Sequence, residues 1–79
     1  MKLTPYARKA KLNSLLTAYG FASFNDLYEV AFRDNVGPAI CIAPSCDYTA
    51  DMELDQQEGY CEACGRNTVQ SALILAGVI

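Results

Sequence analysis

Four cysteines constrain this chain more than anything else in it. Cys41 and Cys46 form a C-x4-C pair, Cys61 and Cys64 form a C-x2-C pair, and fourteen residues separate the two. In a chain of 79 residues a hydrophobic core alone supplies roughly 3–5 kcal/mol, so a staple is expected. Cysteines serve as disulfides in oxidising compartments and as metal ligands in reducing ones. The N-terminal stretch breaks its apolar positions with Arg8, Lys9 and Lys11, so it offers no continuous export signal. The apolar stretch Ala72–Ile79 is far shorter than the ~20 residues of a membrane span. The expectation is a soluble, cytoplasmic chain with no membrane partner.

Ligand chemistry then selects the ion. Zinc takes four ligands in a tetrahedron, and thiolate sulfur suits it. The run Cys61-Glu62-Ala63-Cys64-Gly65 predicts a tight turn that brings two sulfurs onto one ion, with Gly65 supplying left-handed backbone. Cys41 and Cys46 supply the other pair. Iron also accepts four sulfurs, but rubredoxin-like sites use two C-x2-C-Gly turns, and Cys46 is followed by Asp47. Two disulfides would need an oxidising compartment for which there is no signal. The expected cofactor is therefore one Zn(2+) on Cys41, Cys46, Cys61 and Cys64.

Hydrophobic periodicity supplies the flanking elements. Thr4 and Pro5 open a first helix, which buries Leu12, Leu15, Leu16 and Tyr19 and stops at Gly20. Arg8 falls on that stripe, while Lys9 and Lys11 flank it with stems over the core edge and heads in solvent. Ser23 and Asp26 start a second helix, with Phe24, Leu27, Tyr28 and Ala31 inward and Val30 and Phe32 widening the face. Gly37-Pro38 is expected to end it, with the glycine left-handed. Ala39-Ile40 then delivers Cys41. From Asp47 to Asp55 apolar and acidic residues alternate, predicting a half-buried strand with an acidic outer face. A turn at 55–59 and a return strand from Tyr60 would complete a β-hairpin between the cysteine pairs. The tail from Asn67 has helical spacing at Val69, Ala72, Leu73 and Ala76, capped by Asn67 or Thr68; a buried strand is the alternative.

From Ala39 to about Arg66 these features resemble the zinc-ribbon class, although C-x4-C departs from the commoner C-x2-C first knuckle. The whole chain, with CDYTA, DQQEGYCEACG and its apolar tail, is similar to short zinc-ribbon proteins of phages and prophages. That resemblance implies a setting in a bacterial host cell rather than a mechanism. The fold class expected is small α+β and metal-stabilised, in a single domain 1–79. It comprises a helical hairpin (1–37), a four-cysteine zinc ribbon (38–66) and an apolar C-terminal helix or strand (67–79).

Charge decides among functions. Residues 1–20 hold Lys2, Arg8, Lys9 and Lys11 and no acid, whereas residues 21–79 hold Arg33 and Arg66 against nine acids, so the net −3 divides into +4 and −7. Such an acidic ribbon suits a protein partner better than a phosphate backbone. A protein-binding module using Asp47, Thr49, Asp51, Glu53, Asp55 and Glu58 is the first expectation. A phage-encoded modulator or inhibitor of a host defence or transcription complex is its finer form. Weak nucleic-acid binding through Lys2, Arg8, Lys9, Lys11 and Arg66 is the alternative. The acids Asp26, Glu29 and Asp34 disfavour the second helix as a groove reader. Catalysis is not expected, because four cysteines close the metal site, there is no histidine, and no glycine-rich phosphate loop is present. The apolar tail also raises a homo-dimer through the C-terminal segment, with burial in the chain's own core preferred.

Overall fold

The computed structural model describes residues 3–78. Helix α1 spans Pro5–Tyr19 and α2 spans Phe24–Asp34. Both start as expected. Thr4 Oγ1 accepts the Ala7 N–H at 3.1 Å, and Ser23 Oγ accepts the Asp26 N–H at 3.4 Å, each satisfying one amide that the helix leaves unpaired. Gly20 ends α1 in the left-handed region at φ 75°.

The end of α2 differs from expectation. Asn35, at φ 61°, is the left-handed residue, a conformation asparagine tolerates better than most side chains. Gly37 and Pro38 instead begin strand β1, Gly37–Cys41. Gly37 is needed there for close approach: a Cβ on it would lie 3.0 Å from Ala31 Cβ and 3.4 Å from Leu54 Cδ2.

Strands β2 (Thr49–Met52), β3 (Gly59–Cys61) and β4 (Arg66–Ser71) complete a four-stranded antiparallel sheet in the order β2-β1-β4-β3. The hairpin expected between β2 and β3 does not form: those two strands lie on opposite edges. Burial explains the arrangement. Every residue of β1 is buried, so β1 takes a central place, while the alternating, half-polar β2 suits an edge. Each cysteine pair instead sits in its own connection, Cys41–Cys46 between β1 and β2 and Cys61–Cys64 between β3 and β4. The segment from Glu53 to Glu58 crosses from one sheet edge to the other, fastened by Ser71. The Ser71 N–H donates to Gln56 O at 2.9 Å, and its hydroxyl donates to Leu54 O.

The tail is strand first and helix second. After β4, Ser71 caps a single helical turn, α3 (Ala72–Leu75), by accepting the Ile74 N–H at 3.2 Å. The cap is thus Ser71, not Asn67 or Thr68, and the fourth strand lies in the segment expected to be a tail. Ala72, Leu73 and Leu75 are buried within the chain itself.

Two apolar clusters lie on the two faces of the sheet. On one, Ile40 and Ile42 meet Leu15 of α1, Leu27 and Ala31 of α2, and Ala72 and Leu75 of α3. Both helices rest on β1 rather than chiefly along each other, which loosens the expected helical hairpin. On the other face, Ala39, Cys41, Cys61 and Val69 pack with Tyr48 and Met52. Phe32 does not widen the buried face of α2. It is 49% exposed and stacks on Tyr28, with ring centroids 4.5 Å apart.

Candidate metal centre

The second sheet face carries the cysteines. Cys41 closes β1 and Cys61 closes β3, both buried; Cys46 and Cys64 follow in the two connections and are half-buried. An irregularity in the pairing of β3 with β4 falls between Gly59 and Cys61, a bulge of the kind that re-aims side chains at functional sites. All four sulfurs lie within 4.8 Å of one another. The closest cross-knuckle pairs, Cys41–Cys64 and Cys46–Cys61, are both 3.7 Å apart. A tetrahedron with Zn–S bonds of about 2.3 Å has edges of about 3.8 Å, so the sulfurs present fit one zinc ion. Four free thiols converging on a point is the pattern of a metal site rather than of two bonded pairs.

Local backbone holds the sulfurs. The Cys64 N–H donates to Cys61 Sγ at 3.3 Å, and the Gly65 N–H donates to Cys61 O at 2.7 Å, closing a turn that needs Gly65 at φ 71°. In the first knuckle the Cys46 N–H donates to Ala43 O at 3.1 Å, and the Cys41 N–H donates to Tyr48 O at 2.9 Å. The Thr68 hydroxyl lies 3.1 Å from Cys41 Sγ, placed to donate to a thiolate.

These contacts divide the sulfurs. For Cys41, burial opposes ionisation, but hydrogen bonds from Thr68, the Ala43 backbone, Cys46 and Cys61 outweigh it and hold the thiol down to about 7. Hydrogen bonding with Cys46 and Cys41, reinforced by burial, pushes Cys64 up to about 12. Cys41 is thus the readier thiolate of the two, and Cys64 the thiol whose proton a bound cation would have to displace.

The remaining candidate residues fall differently from expectation. Residues opposite in an antiparallel pair share a face. Thr49 pairs with Ile40 and Asp51 with Pro38, so the polar side of β2 shares the sheet face that the helices cover. Asp51 accepts the Tyr19 hydroxyl at 2.9 Å, and Asp47 lies 3.4 Å from Lys11 Nζ. Glu53, Asp55 and Glu58 sit on the crossing segment, all exposed. The acidic set is thus split between a strand edge tied to α1 and an exposed crossing segment fastened by Ser71.

Of the basic set, Lys2 lies outside the described residues. Arg8 donates to Ile74 O at 2.8 Å, clipping α1 to α3. Lys9 and Arg66 are exposed. Lys11 contradicts the expectation of a head in solvent. Its side chain is 9% exposed, and its ammonium donates to Ala43 O at 2.7 Å, to Cys46 O and to Asp47. Three donors thus meet three acceptors, which is how a charge can be buried at tolerable cost. Its position three residues after Arg8 and four before Leu15 put it on the inward face, and that was the available signal. Nothing in the sequence pointed to Thr68 as a neighbour of a sulfur or to Ser71 as a fastener.

Tyr19 yields a pH prediction. Burial first, and then the hydrogen bond and charge of Asp51, raise its phenol above the ordinary value of 10.0. A raised phenol favours the neutral form in the folded chain. Its contribution is complete below pH 10 and is lost as pH climbs through the folded value. Denaturant melts of the zinc-loaded chain should lose stability above pH 10 more steeply in the wild type than in Tyr19→Phe; parallel slopes would refute this.

A broad cleft of about 790 Å³ lies apart from the cysteines, lined by Leu3, Leu12, Phe24, Leu75 and Val78 with Arg8 and Lys9 at its side and, among the described residues, no carboxylate. No helix among the described residues is long and apolar enough to cross a membrane. No known protein family, characterised protein or solved structure matches this chain.

Proposed function

We propose that this chain is a non-enzymatic zinc protein whose tetrathiolate site clips the sheet together and whose acidic loop engages a basic protein. One observation carries the proposal. From Asp34 to Gly65 there are seven acids and no lysine or arginine, and Glu53, Asp55 and Glu58 stand exposed on a segment anchored at both sheet edges. A fixed, single-sign surface of this kind steers association with an oppositely charged partner. The four-sulfur ligand set leaves no open position for a metal-bound water, which supports a structural ion. In a phage setting that partner would be a subunit of a host defence or transcription complex in the bacterial cytoplasm. Nucleic-acid binding is the weaker reading, since Arg8 and Lys11 would have to leave their carbonyl partners to reach phosphates. Burial of Ala72, Leu73 and Leu75 likewise supports a monomer over the dimer.

Affinity capture from bacterial extract tests this with the triple variant Glu53→Gln, Asp55→Asn, Glu58→Gln, whose side chains make no hydrogen bond within the described fold. The wild type should retain a basic protein in the presence of nuclease. The triple variant should bind it about tenfold more weakly, or about 0.5 kcal/mol per charge. Equal retention by the variant, or loss of the partner on nuclease treatment, would exclude the acidic loop as the contact.

A further inference from the structure

We propose that Lys11 is a positioning residue for the metal centre: from helix α1 it holds the first knuckle closed, so that release of the ion requires this tether to open. The inference rests on zinc occupying the cysteine cluster, and it is independent of any partner. Lys11 reaches the knuckle from a distant part of the chain, 32 residues before Ala43 and 35 before Cys46. The two carbonyls it binds bound the Ala43–Cys46 turn of the first pair, Ala43 lying inside the x4 spacer and Cys46 closing it, in the looser of the two knuckles. The second knuckle is closed by its own backbone, through Gly65 and the Cys64 N–H. The first has the Cys46 N–H to Ala43 O bond and an Ala43 backbone hydrogen bond to Cys41 Sγ, but Asp47 rather than a glycine follows its second cysteine, so no left-handed turn closes it. Lys11 binds that same Ala43 oxygen and the carbonyl of the ligand residue Cys46. It thereby fixes both ends of the loop that sets the direction of Cys46 Sγ.

Charge adds to geometry. A zinc tetrathiolate carries a net charge of about −2, and a buried cation beside it offsets that charge where solvent is excluded. Among the described residues Lys11 is the cation hydrogen-bonded to a knuckle, and Asp47, the acid facing it, is 76% exposed and shares its charge with water. The ammonium is therefore left largely to the carbonyls and the metal centre. If the knuckle opens, Lys11 loses its acceptors at the same moment as the ion loses Cys46.

Zinc release into excess chromogenic chelator tests the tether, using the zinc-loaded full chain and three variants. Groups beyond the ligands typically change metal affinity about 10–100-fold, so Lys11→Met should release zinc faster by about that factor. Lys11→Arg, which keeps the charge, should fall between Lys11→Met and the wild type. Leu27→Ala weakens the helix-side core from α2, without touching the knuckle or the helix that carries Lys11, and should release zinc at close to the wild-type rate. Release from Lys11→Met at the wild-type rate, or equal acceleration by Leu27→Ala, would overturn the proposal. A second measurement needs no variant. Amine labelling followed by mass spectrometry should modify exposed Lys9 at once in the wild type, and should modify Lys11 only in step with zinc loss. Labelling of Lys11 at the rate of Lys9 while zinc is still bound would overturn it equally. A wild-type chain that takes up no zinc refutes the metal site itself and so separates the two failures.

Discussion

Removing zinc with a strong chelator is expected to collapse the sheet, with loss of β-type circular dichroism and of resistance to protease. Structural zinc sites contribute apparent free energies of about 10–16 kcal/mol near neutral pH, several times the roughly 3–5 kcal/mol available from a core this small. The sulfurs join all parts of the sheet: Cys41 ends the central strand β1, Cys61 ends the edge strand β3, and Cys46 and Cys64 lie in the connections leading to β2 and β4. Cys61→Ser should have the same effect as chelation, because Cys61 is buried and receives the Cys64 N–H that closes the second knuckle. The spectroscopic marker is Tyr48, whose hydroxyl donates to Glu62 at 2.9 Å across the two knuckles; Tyr60 is already 55% exposed and should report little. Metal analysis should give one zinc per chain in the wild type. A chelated chain that keeps its dichroism and its protease resistance would refute a structural role for the ion.

The second large effect is expected on the opposite face. Ile40→Ala should cost about 2–5 kcal/mol, because Ile40 is fully buried beneath both long helices and its loss leaves a cavity between Leu15, Leu27 and Ala31. In a domain of this size about 1 kcal/mol lowers the melting temperature by about 4–8 °C, so the midpoint should fall by at least about 8 °C. Zinc content should stay at one per chain, because Ile40 points away from the sulfurs toward the helices. This pattern separates the two halves of the architecture: one substitution loosens the helices and spares the metal, while removal of the metal unfolds the sheet. A midpoint lowered by only a degree or two, or loss of zinc from Ile40→Ala, would contradict the assignment of Ile40 to the helix-side core.

Local signals were legible where a residue acts on its own neighbours. Thr4 and Ser23 cap their helices because a short side-chain oxygen before an apolar-periodic stretch has one good use, and Gly20 stops α1 for an equally local reason. The C-x2-C-Gly turn is local in the same sense, and it forms as its spacing dictates. The strand pairing was not legible from the alternation at 47–55, because period two reports which residues share a face and not which strand lies beside them. That same alternation suggested an outer face for the acids, whereas Thr49 and Asp51 share the helix-covered face with Ile40 and Pro38. Asp47 and Asp51 turned toward α1 because Lys11 and Tyr19 were there to receive them.

By itself, then, the amino-acid sequence determined the two helices and the paired-cysteine pattern, and raised the expectation of a staple, since each depends on residue type and short spacing. Tertiary structure alone decided the strand order, the face on which the acids lie, and the burial of Lys11 against the first knuckle. Lys11 and Tyr19 find their partners more than thirty residues away, and β1 takes β4 as its second neighbour past two intervening strands, contacts for which no local pattern carries a signal.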